Sequence, residues 1–177
     1  MSFITTFTGK KFDPINPEVE LIDIRDIAHA LSMLCRANGH VKHFYTVGQH
    51  SLACYYEAEA RGYSEKIKMA CLLHDASEAY LSDVTRPIKA TLPEYLVVED
   101  KLQSVIWNKF LPSPLTKEEE KTVFEIDDDM LAYEFKHLMP RELSDRYNNI
   151  VGAHDLSFTD PQLVEDQLFK LMNKDLK

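Results

Sequence analysis

The sequence contains few of the residues and patterns that mark several common protein classes. It has only five glycines in 177 residues, which argues against a loop-rich or all-β architecture. No apolar run reaches the ~18 residues that a membrane-spanning helix needs, so we expect no membrane segment. The three cysteines are odd in number and lie within apolar periodic segments, which indicates buried, reduced thiols rather than a disulfide framework. There is also no CxxC pair, no glycine-rich phosphate loop and no internal repeat.

The residues that are abundant predict an acidic globular protein. Apolar residues make up 45% of the chain and charged residues 28%, and the length suits a single domain over residues 1–177. The N-terminal segment MSFITTFTGKKF lacks the basic start and long apolar middle of a signal peptide, so we expect a cytoplasmic protein. A net charge of −9 argues against binding to a nucleic-acid polymer. A small phosphorylated ligand needs only a local cationic pocket and stays possible.

The spacing of apolar residues predicts a mostly helical fold. Helical periodicity covers residues 26–39, 46–61, 64–81, 94–110 and 116–138, and a last helix begins at Pro161. Near the N-terminus, weak alternation over residues 3–8 followed by Gly9 predicts a small β-hairpin. We expect a short helix or a loop at residues 140–149 and an irregular segment at residues 152–158. The predicted architecture is one all-α domain of six or seven helices with a small N-terminal hairpin.

One stretch, LLHDASEAYLSD, combines an apolar run with three polar groups suited to chemistry. In a continuous helix, His74 and Glu78 are four residues apart and share a face, while Asp75 lies about 100° around the cylinder. Since an unpaired buried charge is costly, a divalent metal ion is a good reason for this pattern. An ordinary helix end with solvated acids and a hydrogen-bonded core histidine explains the stretch equally well.

Two further residues extend this candidate site. His50 lies on or beside the buried face of the predicted helix 46–61, and Asp127 lies in an apolar stripe between Val123 and Leu131. A lone histidine on such a face is more often a core residue, and three consecutive aspartates are more often a solvated face. Taken with His74 and Asp75, however, they give a mixed nitrogen and oxygen ligand set. Four ligands on an octahedral ion leave two positions for water and substrate, unlike a closed structural zinc site.

These groups occur in the order His, His-Asp, Asp, which is the signature of the HD-domain phosphohydrolases. The chain resembles that superfamily from Phe7 to about Pro140, and it is similar to the small bacterial HD 5′-deoxynucleotidases and to phage-type HD phosphohydrolases, which include dATP triphosphohydrolases. The segments that look like the phage type are FTGKKFDPINP, DIAHALSMLCRANGH, FYTVGQHS, LLHDASEAYLSDVTRPIK and IDDDMLAYEFKHLM. The HD dipeptide alone has no such specificity.

The resemblance implies a set of site residues. It implies one divalent ion (Mn²⁺, Co²⁺, Fe²⁺, Zn²⁺ or Mg²⁺) and a glutamate, Glu78, that serves the catalytic water. The implied metal ligands are His50, His74, Asp75 and Asp127. The implied substrate-binding residues are Arg36 and Lys89 for phosphates and Asp83 for the sugar.

One position departs from the family pattern. The residue after the arginine is often a large aromatic that packs on the base, and here it is Ala37. Base recognition must therefore differ. It could use Ile15, His40 or a neighbouring chain, or it could be looser.

The function that the resemblance implies is metal-dependent cleavage of the 5′-phosphoester of a deoxynucleotide. A dNTP would give a deoxynucleoside and triphosphate, with dATP as one candidate, and a dNMP would give a deoxynucleoside and phosphate. The alternatives are a cyclic-nucleotide or alarmone hydrolase on the same fold, or a non-catalytic nucleotide-binding protein. The resemblance also implies a homo-oligomer in the cytoplasm of a bacterium or, if phage-encoded, of an infected cell.

Overall fold

Helices dominate the computed structural model, which describes residues 3–141 and 149–174. Of the described residues, 61% are helical and only a single two-stranded sheet is found among them, so the predicted mostly α fold is confirmed. The described α-helices are α1 (Ile24–Met33), α2 (Val47–Ala60), α3 (Glu65–Leu72), α4 (Glu78–Leu81), α5 (Arg86–Lys89), α6 (Pro93–Phe110), α7 (Lys117–Leu138) and α8 (Pro161–Lys174). The predicted hairpin is present as strands β1 (Ile4–Thr5) and β2 (Lys11–Phe12), which pair antiparallel. The short helix or loop expected at residues 140–149 falls mostly outside the described residues.

Helix α2 lies at the centre of the fold. It packs against α1, α3, α7 and α8, and most of its residues are buried. Gly48 permits α2 to approach α1 and α8 closely, because a Cβ atom at this position would lie 2.9 Å from Leu168 Cδ1 and 3.1 Å from the Leu31 carbonyl oxygen. His50 is therefore carried by a helix that neighbouring elements enclose. None of the helices in the described part of the chain combines the length and apolar character that crossing a bilayer requires.

Capping boxes define the start of the two long helices that carry candidate ligands, as the sequence predicts. In α2 the Gln49 amide donates to Thr46 Oγ1 at 3.0 Å, and the Thr46 amide donates to Gln49 Oε1 at 3.2 Å. In α7 the same exchange joins Thr116 and Glu119. Each box satisfies two backbone donors that have no partner within the helix. The starting points of α2 and α7 are therefore set by local sequence.

The predicted continuous helix over residues 64–81 is wrong. Helix α3 ends at Leu72, residues 73–77 form turns, and α4 begins at Glu78. The Gln103 side chain from α6 accepts from the Ser77 amide at 3.1 Å and donates to the Leu73 carbonyl at 2.7 Å. Those two backbone groups would bond each other in an α-helix, so an inserted side chain takes the place of one helical hydrogen bond. His74 and Asp75 consequently lie in a turn and not on a helix face.

Two other local predictions also need correction. Helix α1 ends at Met33 and not near Gly39, and Arg36 lies in a short 3₁₀ turn (Arg36–Gly39) after an isolated bridge between Cys35 and Thr46. Two residues of this turn that are not glycine, Ala37 and Asn38, both have φ of +51°. A short helix, α5, occupies the segment around Pro87, which lies outside the predicted helices 64–81 and 94–110. Proline is accepted there because it stands in the first turn, where its missing N–H is not needed.

A buried carboxylate fixes the path of the chain towards α8. Glu57 on α2 accepts hydrogen bonds from the backbone amides of Val151 and Gly152 at 2.8 and 2.9 Å. It also pairs with Arg61 Nε and His154 Nε2, each at 2.8 Å. Burial opposes ionisation of Glu57, but the bonds from His154 and Arg61 outweigh it and lower its pKa to about 2. His154 thus has a structural role, and the expected irregular segment at residues 152–158 is present.

We predict that Glu57→Gln lowers the free energy of unfolding at pH 7, with a smaller effect in acid. The pKa of Glu57 in the folded protein is below its usual value of 4.5, so the stabilisation is complete above pH 4.5 and is lost as the pH falls towards 2. Urea unfolding of both proteins at pH 7 and pH 3 measures this difference. The exposed Glu59→Gln is the control and should change little at either pH. An equal loss at pH 7 and pH 3 would contradict the prediction.

Candidate metal centre

The four predicted ligand side chains meet at one place in the interior. His50 comes from α2, His74 and Asp75 from the turn after α3, and Asp127 from α7. His50 Nε2 lies 3.2 Å from His74 Nε2 and 3.0 Å from Asp127 Oδ1. Asp75 Oδ2 lies 3.3 Å from His74 Nε2 and 3.8 Å from His50 Nε2, and His74 Nε2 lies 3.6 Å from Asp127 Oδ1. Residues up to 77 positions apart in sequence thus share a single cluster.

Both imidazole rings have their other nitrogen engaged by an acceptor. His50 Nδ1 lies 2.9 and 3.0 Å from the two carboxylate oxygens of Glu134, and His74 Nδ1 lies 2.7 Å from the Cys71 carbonyl oxygen. Since an acceptor requires a proton on Nδ1, each ring directs the lone pair of Nε2 into the cluster in its neutral form. Partners of this kind commonly fix the orientation of metal-binding histidines.

The spacing of the four atoms fits ligands around one ion. Two ligand atoms that are each ~2.1 Å from an ion are about 3.0 Å apart when adjacent in an octahedron and about 4.2 Å apart when opposite. The distance between the two histidine nitrogens and the four distances from these nitrogens to the carboxylate oxygens, from 3.0 to 3.8 Å, all lie between these two values. The donor set of two imidazoles and two carboxylates suits a hard or borderline divalent cation.

A buried thiol also lies beside the cluster. His50, Cys54 and His74 each offer a ligand atom, and these atoms all lie within 4.8 Å of one another, so the buried group could hold a metal ion. Cys54 Sγ is 3.6 Å from His50 Nε2 and 4.0 Å from His50 Nδ1. An atom in front of the Nε2 lone pair would lie much farther from Nδ1 than from Nε2. The two Sγ–N distances are nearly equal, so the sulfur lies beside the ring and not along the lone pair. We therefore favour the two carboxylates over Cys54 as the partners of the two histidines.

The ionisation of the cluster indicates that it attracts positive charge. Burial disfavours the imidazolium form of His74, but Asp75 and Asp127 outweigh it and raise the pKa of His74 well above its usual value. Burial likewise opposes ionisation of Asp127, yet His50 and His74 lower its pKa well below the usual value. Because Nδ1 of His74 is already engaged, an added proton occupies Nε2, where a metal ion would also bind. A cation therefore competes with a proton for this point.

Glu78 lies next to this cluster at the start of α4. It is buried, and its Oε2 atom has no hydrogen-bond partner among the described residues. Lys89 Nζ lies 3.8 Å from the other carboxylate oxygen. Burial, followed by the charges of Asp75 and Asp83, raises the pKa of Glu78 well above its usual value. A raised pKa makes this carboxylate a stronger proton acceptor than an exposed glutamate.

The predicted substrate-binding residues surround these acids. Arg36 is buried and lies 3.2 Å from Asp75 Oδ2 and 3.7 Å from Glu134 Oε2. Lys89 donates to Glu99 at 2.7 Å. Asp83 is half-buried in the loop after α4. All three are therefore near Glu78 or the candidate ligands, whereas Ile15 and His40 are exposed.

Two residues of the site were missed by the sequence analysis. Glu134 stands seven residues after Asp127, two helical turns along the same face of α7, and this spacing was an available signal. It also accepts from the Tyr45 hydroxyl at 2.9 Å. For Arg86, the sequence favours a functional role no more than it favours a solvated charge. Arg86 donates to Asp127 Oδ2 at 2.7 Å and to Asp128 Oδ1 at 2.6 Å.

Comparisons with known proteins identify relatives without a described function. The chain is 43% identical over 112 residues to an uncharacterized protein, YfdR, of Escherichia coli K12, an alignment that covers 62% of this chain and 59% of YfdR. It is 35% identical over 121 residues to an uncharacterized protein of Rhodobacter capsulatus, covering 62% of this chain and 61% of that protein. The chain thus spans about three fifths of the length of the curated relatives it matches. No family model matches the chain.

We predict that a divalent cation stabilises the folded protein. Ion-depleted protein should gain about 2.7 kcal/mol at a Mn²⁺ concentration 100 times the Kd, measured as a rise in Tm. The gain should shrink as the pH falls, because the raised pKa of His74 favours the competing proton. Asp127→Asn should abolish the gain. Its matched control is Asp129→Asn on the same helix, where the aspartate pairs with Arg61 at 2.8 Å. An unchanged rise in Tm in Asp127→Asn would exclude Asp127 as a ligand.

Proposed function

We propose that this chain is a metal-dependent phosphohydrolase of the HD-domain type that cleaves the 5′-phosphoester of deoxynucleotides. One observation supports the proposal above all others: two imidazole nitrogens and two carboxylate oxygens, from three separate segments, converge within 3.0–3.8 Å. They are the residues that the sequence resemblance implies as ligands of one divalent ion. His50, His74, Asp75 and Asp127 would hold that ion, with two octahedral positions left for water and a phosphate oxygen.

The chemistry divides between the ion and the side chains around it. When bound, a divalent cation polarises a phosphate oxygen and lowers the pKa of a bound water towards neutrality. Glu78 supplies a buried carboxyl group whose Oε2 atom is free of protein partners among the described residues. It would orient the attacking water and receive its proton. The raised pKa of Glu78 suits this role, since a base must be able to keep the proton it takes.

The nearby cations suit an anionic substrate. Arg36 and Lys89 are each paired with carboxylates, and a phosphate group would compete for the same N–H donors. In this proposal they neutralise charge that develops on the phosphoryl oxygens. Asp83 would accept a hydrogen bond from the 3′-hydroxyl of the sugar. Among the described residues the buried Glu78 Oε2 has no hydrogen-bond partner, and this supports a catalytic protein over a nucleotide-binding module.

A substrate panel tests the proposal. Purified protein is incubated with dNMPs and dNTPs, including dATP, in the presence of Mn²⁺, Co²⁺ or Mg²⁺, and the products are identified by chromatography. Release of phosphate or of triphosphate supports the proposal and also decides between the two substrate classes, because both reactions break the same ester bond. Cyclic nucleotides and alarmones are included in the panel. Turnover of these alone would replace the proposed substrate, and metal and nucleotide binding without any turnover would indicate a binding module.

We predict that Glu78→Gln abolishes turnover without loss of the metal. The amide keeps the size of the side chain but cannot accept the proton, and loss of a general base typically costs 10²–10⁴-fold in rate. The rate of product release and the rise in Tm with Mn²⁺ are measured on the same preparation. Glu94→Gln, an exposed position of α6, is the control and should keep the full rate. A substantial rate in Glu78→Gln would remove Glu78 from the mechanism.

A further inference from the structure

Arg86 forms a link between the loop after α4 and the candidate metal centre. It is the first residue of α5, a helix of four residues, and its side chain is 56% exposed. Its guanidinium nevertheless reaches α7, where one N–H donates to Asp127 Oδ2 at 2.7 Å and another to Asp128 Oδ1 at 2.6 Å. The Asp128 side chain is 64% exposed, and an ion pair between two exposed groups contributes little to stability. The bond to Asp127, whose side chain is only 12% exposed, is the one that matters.

The two oxygens of Asp127 have different partners. Oδ1 faces His50 Nε2 at 3.0 Å and His74 Nε2 at 3.6 Å, and Oδ2 is held by Arg86. Because a carboxylate is planar and rigid, fixing Oδ2 also fixes the direction of Oδ1. We infer that Arg86 is a positioning residue for the metal centre, which turns Asp127 Oδ1 towards the point shared by the two histidines. This inference rests on the metal site of the proposed function.

Arg36 provides a useful contrast on the opposite ligand. It lies 3.2 Å from Asp75 Oδ2, which is the same oxygen that faces His74 at 3.3 Å. Arg36 and an ion would therefore share one oxygen atom of Asp75. Arg86 uses the oxygen of Asp127 that the histidines do not face, so it can stay in place while the ion is bound. The positions of the two arginines thus assign them different roles.

The direction in which the affinity for the cation changes distinguishes a positioning role of Arg86 from a simple charge effect. A guanidinium near the centre repels a divalent cation, so removing its charge alone should tighten binding of the cation. Removing a residue that orients a metal ligand should instead weaken binding, typically by 10–100-fold. The two explanations therefore predict opposite changes in affinity for the same variant.

The experiment is a calorimetric titration, in which Mn²⁺ alone is added to the ion-depleted full chain. We expect Arg86→Gln to bind Mn²⁺ 10–100-fold more weakly than the wild-type protein. Arg86→Lys keeps the charge and one donor, so its affinity for Mn²⁺ should lie between those of the other two proteins. The matched control is Arg61→Gln, since Arg61 pairs with Asp129 on the same helix at 2.8 Å but touches none of the proposed ligands. Its affinity should equal that of the wild-type protein. The visible spectrum of bound Co²⁺ should change in Arg86→Gln and not in Arg61→Gln.

The outcomes distinguish this inference from the proposed function. If the wild-type protein binds Mn²⁺ and Arg86→Gln binds it equally well or more tightly, the positioning role is overturned while the metal centre stands. If the wild-type protein binds neither Mn²⁺ nor Co²⁺, both are overturned. Equal weakening in Arg86→Gln and Arg61→Gln would also overturn the role, because it would show a general effect of lost ion pairs on α7.

Discussion

The candidate metal centre requires four electron-rich atoms to be held close together in the interior of the protein. The Nε2 atoms of His50 and His74 lie 3.2 Å apart and 3.0–3.8 Å from one carboxylate oxygen each of Asp75 and Asp127, and both histidines are almost completely buried. Neutral histidines in this arrangement have only lone pairs to offer one another. A proton or a metal ion at the centre removes that repulsion, which is why the pKa of His74 is raised despite its burial. A divalent cation brings more charge than a proton and can interact with all four atoms at once.

Three of the four candidate ligands contact a second group on the side away from the cluster. Glu134 and the Cys71 carbonyl hold the two imidazole rings, and Arg86 holds Asp127. These contacts tie α2, α5, α7 and the turn after α3 to one another. The central position of α2, which Gly48 makes possible by allowing close packing against α1 and α8, gives this arrangement a rigid base.

The parts of the fold that could be predicted from sequence are those set by local interactions. The predicted helices 46–61 and 116–138 start correctly because capping boxes at Thr46 and Thr116 set those starts locally, and the apolar stripe around Asp127 indicated a buried carboxylate. The break between α3 and α4 could not be predicted, because it depends on Gln103, which is 26 residues from its partner Ser77 along the chain. The position of Arg36 had the same difficulty, because the end of α1 depends on the bridge between Cys35 and Thr46. The residue types of the ligand set could thus be inferred from the sequence, but the backbone geometry that brings these residues together could not.

The distribution of charge makes the proposed anionic substrate compatible with an acidic protein. The chain has a net charge of −9, yet Arg36, Arg86 and Lys89 all lie around the candidate centre, and each is paired with carboxylates. Arg36 shares Asp75 Oδ2 with the histidines, so any cation at the centre weakens its hold on that oxygen. The freed N–H groups of a buried guanidinium need a new acceptor, and a phosphate supplies one with the right geometry. In the proposed function, a nucleic-acid polymer would meet the other acidic groups of the chain as well, whereas a single nucleotide would meet only these cations. The same acids that repel a polyanion are therefore compatible with a small phosphorylated substrate, provided that the cation binds first.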